Sequence, residues 1–180
     1  MPNKPAPADV TVDVKTSALL VLDLNARCED PKQVCRKLVE PVAKFLGRAR
    51  KAGLPIVYTV SHNHKGTPEE RMPLAFQQRD DEPVVFPDAF DKFHGGELHR
   101  VLKERGVKTV IVTGASSNQA VLYTATSAAR PHGYDVIIAM DGIIARGDYE
   151  TEYTLHQFTV LSGAASKFRF TELDRIAFSG

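Results

Sequence analysis

Residues 108–123, KTVIVTGASSNQAVLY, constrain the fold most strongly, because an apolar run ends there in glycine and small polar residues before helical spacing begins. We predict a buried strand at 110–112, a tight turn at 114–118, and then an alanine-rich helix packed closely on a sheet. Ser116 and Gln119 have the spacing of a capping box, which favours a helix start here. Strand-to-helix turns of this kind are where open α/β sheets hold ligands. We therefore expect the functional site at this turn, with a purely structural connection as the alternative.

The rest of the chain alternates apolar strand patterns with helical ones. A helix capped by Asp30 is predicted to run to Gly53 and to kink or divide at Pro41. The other predicted strands are 17–24, 55–60, 84–86, 135–140 and 166–170, and the other predicted helices are 97–105 and 149–161. Asp23 interrupts the apolar pattern near the end of the first of these strands. Strands and helices in this order predict an α/β fold with a mostly parallel sheet and helices on both faces.

Length and composition indicate one domain at 17–180, because 180 residues with 43% hydrophobic content can bury one substantial core. Residues 1–16 carry three prolines among small and polar residues, so we expect an arm that is mobile or lies on a partner subunit. A net charge of +1 without basic clusters argues against binding to nucleic acid or to a membrane surface. Without a membrane-spanning run or a signal sequence, we expect a soluble cytoplasmic protein.

Two cysteines, Cys28 and Cys35, lie seven positions apart in a segment that looks partly helical. This spacing is typical neither of a disulfide framework nor of a CxxC metal pair. We therefore predict two reduced thiols.

Five phrases, in this order along the chain, carry a resemblance to a known family: ALLVLDLN, ARKAGLPIVYT, FHGGELHRVLKERGVKTVIVTG, GASSNQAVLYTATSAA and GYDVIIAMDG. Together they resemble the isochorismatase-like hydrolases, the superfamily that includes nicotinamidases and related cysteine amidases. The resemblance implies a three-layer α/β sandwich that acts on a small molecule and usually forms homo-oligomers.

The amidases of this family use an aspartate, a lysine and a cysteine. Asp23 matches the family's aspartate, and Asn25 stands where the family has glutamine. Counting from Gly114, the cysteine should stand at position 120, which is Ala120. Alanine cannot act as a nucleophile.

The lysine position also departs from the family pattern. With Phe93 as the family's anchoring phenylalanine, the lysine is expected at Pro87. Lys92 is then an offset candidate, whose stem of roughly 6 Å reaches the pocket if its loop folds back. The alternative is a solvated loop lysine.

Other residues are assigned to substrate binding from the same comparison. Cys28 stands where relatives often have a phenylalanine in the pocket wall, so it is a wall residue or a buried thiol, with a displaced nucleophile as the alternative. Asn25, Phe93, Ala115, Ser116 and Ala120 complete this set. The family also has a cis peptide bond in the key turn, which falls by position between Ala115 and Ser116.

Nicotinamidases carry an Asp/His zinc site after the second strand, where this chain has SHNHKG. The aspartate of that pattern is absent. His62 and His64 are therefore expected to be exposed loop histidines. We predict no metal and no cofactor.

Three hypotheses about function stay open. The first is a hydrolase that acts on a small metabolite without the cysteine, with Asp23 as general acid or base, as in the isochorismatases, where the aspartate acts as acid on a vinyl ether. The second is a cysteine amidase altered at position 120, with Cys28 recruited or the alanine introduced. The third is a binding or scaffold protein that kept the pocket and lost catalysis.

Overall fold

A six-stranded parallel sheet forms the centre of the protein, whose computed structural model describes residues 4–180. The strand order is β4-β3-β2-β5-β6-β7. The strands of this sheet are β2 (Ser17–Leu22), β3 (Ile56–Thr59), β4 (Val84–Val85), β5 (Thr109–Ala115), β6 (Asp135–Ile144) and β7 (Phe168–Thr171). All six residues of β2 are buried, as its apolar sequence after Ser17 predicts for a strand covered on both faces.

Helices cover both faces of the sheet, so the fold has three layers. They are α1 (Arg36–Ala52), α2 (Glu97–Glu104), α3 (Leu122–Ala129) and α4 (Asp148–Val160). Alternate residues of β2 point to opposite faces. Leu20 and Leu22 pack with the buried residues of α2, α3 and α4, whereas Leu19 and Val21 pack with those of α1. The predicted α/β sandwich is confirmed.

A second, two-stranded sheet lies on the α1 side. It pairs β1 (Val10–Asp13) in parallel with β8 (Ile176–Ser179). We expected the segment 1–16 to be a mobile arm or an arm on a partner subunit, but part of it is a strand of this chain's own fold. Residues 1–3 of that segment lie outside the described residues. The burial of Val10 and Val12 against the α1 side explains why the segment is ordered.

Helix α1 differs from its prediction in two ways. It begins at Arg36 and not after Asp30, because residues 31–35, which follow the 3₁₀ turn Ala26–Glu29, form further turns and not helix. It also continues through Pro41 as one element. Proline has no backbone N–H, so Pro41 leaves the Lys37 carbonyl without its helical donor. Both residues lie on the exposed face of the helix, where water can donate to that carbonyl.

Two central strands are longer than predicted. Strand β5 continues through Gly114 to Ala115, and β6 continues past Met140 to Ile144, with a register shift between the two strands at Val112 and Gly114. Gly114 has φ +139, and a Cβ atom there would lie 2.7 Å from Cβ of Leu22 and still closer to the Leu22 carbonyl oxygen. Only glycine lets β5 approach β2 this closely, directly before Asp23.

No helix within residues 4–180 is both long enough and apolar enough to cross a membrane.

Candidate functional site

A cavity of about 410 Å³ opens at the edge of the sheet where β2, β3 and β5 end. Parallel strands place their carboxyl ends at one edge, so residues that follow different strands meet there. The wall is built from the segments after β2, before α1, after β3 and after β5, from Phe90, and from the start of α4. Its residues are Asp23, Arg27, Gln33, Val34, Cys35, Ser61, Phe90, Ala115, Ser116, Asn118, Gln119, Ala120, Arg146 and Glu150.

Asp23 stands at the base of this edge, directly after β2. Its backbone N–H donates to the Thr59 carbonyl over 3.0 Å. Its Oδ1 accepts a hydrogen bond from Thr59 Oγ1 over 3.0 Å, and its Oδ2 accepts one from Ser61 Oγ over 3.1 Å. The backbone φ is 55°, a left-handed conformation that is uncommon outside glycine and is enriched in aspartate. Both carboxylate oxygens are therefore held in place, with 15% of the side chain exposed.

Lys92 pairs with this carboxylate. Its Nζ lies 2.7 Å from Asp23 Oδ2 and 3.3 Å from Ser61 Oγ, and its side chain is only 1% exposed. The Lys92 backbone N–H donates to Thr124 Oγ1 of α3 over 3.0 Å, which anchors the loop between β4 and α2. The offset lysine thus reaches Asp23, and the alternative of a solvated loop lysine is wrong. At Pro87, where the family pattern expected the lysine, the carbonyl accepts the His62 N–H.

The turn after β5 contains the cis peptide bond between Ala115 and Ser116, as predicted. Residues Ser117–Val121 form a π-helical turn that leads into α3. The predicted capping box is wrong, because Ser116 Oγ donates to Asn118 Oδ1 over 2.8 Å and caps no backbone N–H. Ala120 is 2% exposed and forms part of the cavity wall.

Cys28 and Cys35 form a disulfide, so the prediction of two reduced thiols is wrong. The 3₁₀ turn and the turns before α1 bring their Cα atoms to 5.2 Å, within the range a disulfide needs. Cys28 is fully buried and lies outside the cavity wall, whereas Cys35 is part of it. A disulfide-bonded sulfur is not a thiolate, so Cys28 is not a displaced nucleophile.

Two residues assigned to substrate binding also lie outside the cavity wall. Asn25 is 1% exposed, and its Oδ1 accepts a hydrogen bond from Arg27 Nε over 3.3 Å. The ring of Phe93 stacks on His132 with centroids 4.5 Å apart. Burial lowers the pKa of His132, and the neighbouring His99 lowers it further. Asn25 and Phe93 therefore support the segments that carry the site.

An ion pair holds the 3₁₀ turn that carries Arg27. Glu29 accepts hydrogen bonds from Arg71 Nη2 over 2.6 Å and from the Leu74 N–H over 2.7 Å. The Arg71 guanidinium, and then the Leu74 N–H, lower the pKa of Glu29 to about 2. The carboxylate is thus charged at neutral pH and fixes this part of the cavity rim.

The loop histidines do not assemble a metal site. His62 is exposed, as expected. The expectation of an exposed His64 is wrong, because its side chain is half-buried and its Nδ1 lies 2.8 Å from Glu69 Oε2. Across residues 4–180, no three His, Cys, Asp or Glu side chains are grouped so that they could hold a metal ion.

Sequence reasoning missed Ser61, which follows β3 by two positions and meets both Asp23 and Lys92. The available signal was its place after a predicted strand, at the same sheet edge as Asp23.

Comparison with known proteins supports the fold. A family model of the isochorismatase domain matches residues 17–166. An isochorismatase-like hydrolase from Alkaliphilus metalliredigens has a TM-score of 0.78 at 23% identity, over 89% of this chain and 96% of that one. N-carbamoylsarcosine amidase from Thermoplasma acidophilum has a TM-score of 0.72 at 24% identity, over 88% and 97% of the two chains. The nicotinamidase of Staphylococcus aureus has a TM-score of 0.73 at 16% identity, over 88% and 99%.

The search among curated proteins finds no match. The family model nevertheless spans most of the chain, and the three solved structures named above share the fold of this chain. The chain therefore belongs to the isochorismatase family.

Proposed function

We propose that this protein is a hydrolase of a small metabolite that works without a cysteine nucleophile, with Asp23 as general acid and base. The observation that carries the proposal is the Asp23–Lys92 ion pair at the cavity, 2.7 Å long and formed by a lysine that is 1% exposed. Burying a lysine is costly unless it is paired, so this arrangement favours a functional role over a loop contact.

The geometry suits proton transfer followed by charge stabilisation. Asp23 has one oxygen bonded to Thr59 and the other shared by Ser61 and Lys92, so its direction is fixed while the side chain still borders the cavity. A carboxyl group held in this way can donate a proton to a substrate or accept one from it, and such a group typically contributes 10²–10⁴-fold to a rate. The Lys92 ammonium then stabilises negative charge beside it.

A panel of small substrates tests the proposal. Two relatives are named as N-carbamoylsarcosine amidase and nicotinamidase, so the panel contains both amides, simple esters and a vinyl ether. We expect turnover of at least one compound and a loss of ~100-fold or more in Asp23→Asn. Asp80→Asn, at an exposed turn position, is the matched control and should keep full activity. Equal turnover by Asp23→Asn and the unaltered protein would disprove the proposed role.

The second candidate is a binding protein, favoured by Ala120 in the cavity wall, at the position where the sequence resemblance places the cysteine of the family's amidases. The same panel separates it by thermal shift, because a ligand at 100 times its Kd stabilises the fold by ~2.7 kcal/mol. Stabilisation without product would establish binding alone. A gain of amide hydrolysis in Ala120→Cys would instead indicate an amidase altered at this one position.

A further inference from the structure

The Ser61 hydroxyl lies between the two charged groups of the site. Its Oγ donates to Asp23 Oδ2 over 3.1 Å and accepts from Lys92 Nζ over 3.3 Å. Ser61 also forms part of the cavity wall. This hydroxyl has three features of an activated nucleophile. A carboxylate can take its proton, an ammonium lies beside its oxygen, and the cavity leaves open space on another side.

The other serines near the cavity lack this combination. Ser116 Oγ donates to the Asn118 side chain, and Ser117 is fully buried and bonded to Thr151 Oγ1. Within residues 4–180, Cys28 and Cys35 are joined to each other and no free cysteine is present. Ser61 is therefore the best-placed serine in the described part of the site.

We propose that Ser61 is the nucleophile of this hydrolase, with Asp23 as its general base and Lys92 as its electrostatic partner. The proposal rests on the hydrolase function proposed above and specifies how hydrolysis proceeds there. It predicts as substrate a small ester or amide whose acyl group can be transferred to a serine.

The reaction balances with water as the second reactant. Ser61 Oγ attacks the carbonyl carbon while its proton passes to Asp23 Oδ2, and the π electron pair of the carbonyl moves to oxygen. When the oxyanion collapses, the bond to the leaving oxygen or nitrogen breaks, and Asp23 returns the proton to that leaving group. Water then attacks the acyl-serine, giving its proton to Asp23. The acid departs, and Ser61 regains its proton.

Lys92 acts on the oxygen of Ser61 throughout these steps. Its ammonium is 3.3 Å from Oγ, so it stabilises the negative charge that develops as the proton leaves. Because it lies 2.7 Å from Asp23 as well, it also keeps the carboxylate directed at the hydroxyl. A purely positioning serine would make the same hydrogen bonds, so the test must detect a covalent bond.

A fluorophosphonate ester provides that test without a known substrate, because an activated serine displaces its fluoride and retains the phosphonyl group. We expect one adduct per chain by intact mass, located on Ser61 by peptide mapping. Ser61→Ala should not be labelled, and Asp23→Asn should be labelled ~100-fold more slowly. Ser162→Ala, at an exposed position, is the control and should be labelled like the unaltered protein.

An unlabelled Ser61 in the unaltered protein, or an adduct on another serine, would overturn the proposal. This outcome does not depend on whether Ser61→Ala folds. The turnover assay separates the two proposals. Suppose that a panel substrate is hydrolysed and that folded Ser61→Ala keeps its kcat/KM within a factor of about 3, which is less than the tenfold change that corresponds to about 1.36 kcal/mol. The role of Ser61 as nucleophile would then be refuted, whereas the proposal that the protein is a hydrolase would not.

Discussion

Removing the Lys92 ammonium should destabilise the protein by about 3 kcal/mol. Lys92→Met keeps an unbranched stem and deletes the charge, leaving the Asp23 carboxylate without its cation. Breaking a buried ion pair from one side costs about 3–5 kcal/mol. The lower end applies because Asp23 keeps the hydroxyls of Thr59 and Ser61 and its side chain is 15% exposed.

Urea unfolding followed by circular dichroism measures this loss. With a slope of about 2 kcal/mol/M, the midpoint should fall by about 1.5 M. Lys44→Met, on the exposed face of α1, is the matched control and should stay within about 0.5 kcal/mol.

The double variant Asp23→Asn/Lys92→Met completes a thermodynamic cycle. Each single change leaves one buried charge without its partner, whereas the double change removes both. The sum of the two single losses in unfolding free energy should therefore exceed the loss in the double variant by about 2 kcal/mol. A coupling energy below about 0.5 kcal/mol would refute the reasoning, since it would show that the two groups do not depend on each other for stability.

Three further predictions concern stability. Reducing the disulfide, or replacing Cys35 with serine, should cost about 2 kcal/mol because it frees a short loop closed between positions seven apart; an unfolding midpoint that does not respond to dithiothreitol would contradict this. Gly114→Ala should cost about 3 kcal/mol by forcing β5 away from Leu22, whereas Gly47→Ala, at an exposed helix position with open space, should stabilise by about 0.5–1 kcal/mol in the same calorimetric assay. The fold lowers the pKa of His132 from its ordinary 6.5, so the unfolded chain binds the proton more tightly than the folded chain does. The stability that neutral His132 contributes is therefore present above pH 6.5 and is lost as the pH falls below that value. His132→Gln should flatten the pH dependence of the unfolding free energy below that pH, and an unchanged slope would count against this assignment.

The strands that are buried on both faces could be predicted from the sequence alone. The apolar runs of β2, β5 and β6 leave few alternatives, and their alternation with helices implies parallel pairing. The position of Asp23 at the sheet edge follows from the end of β2. These features depend on local pattern, and local pattern is what a single sequence contains.

Features that depend on distant contacts could not be predicted in this way. Strand β1 forms because Val10 pairs with Ile176 at the far end of the chain. Lys92 reaches Asp23 because Thr124 anchors its loop. The disulfide depends on a 5.2 Å approach of two Cα atoms that a spacing of seven residues does not specify. In each case the deciding interaction joins segments whose separation in space is set only by the complete fold.

The position of Lys92 also bears on how members of this family should be classified. Counting along the sequence from Phe93 places the expected lysine at Pro87, so spacing alone would classify the chain as lacking it. The folded chain nevertheless delivers an ammonium to the aspartate from five positions later in the same loop. For this chain, the distance from the Asp23 carboxylate to the nearest lysine nitrogen is a better criterion than the residue at that one position. Such a criterion would separate proteins that lost the charge from proteins that only moved its point of attachment.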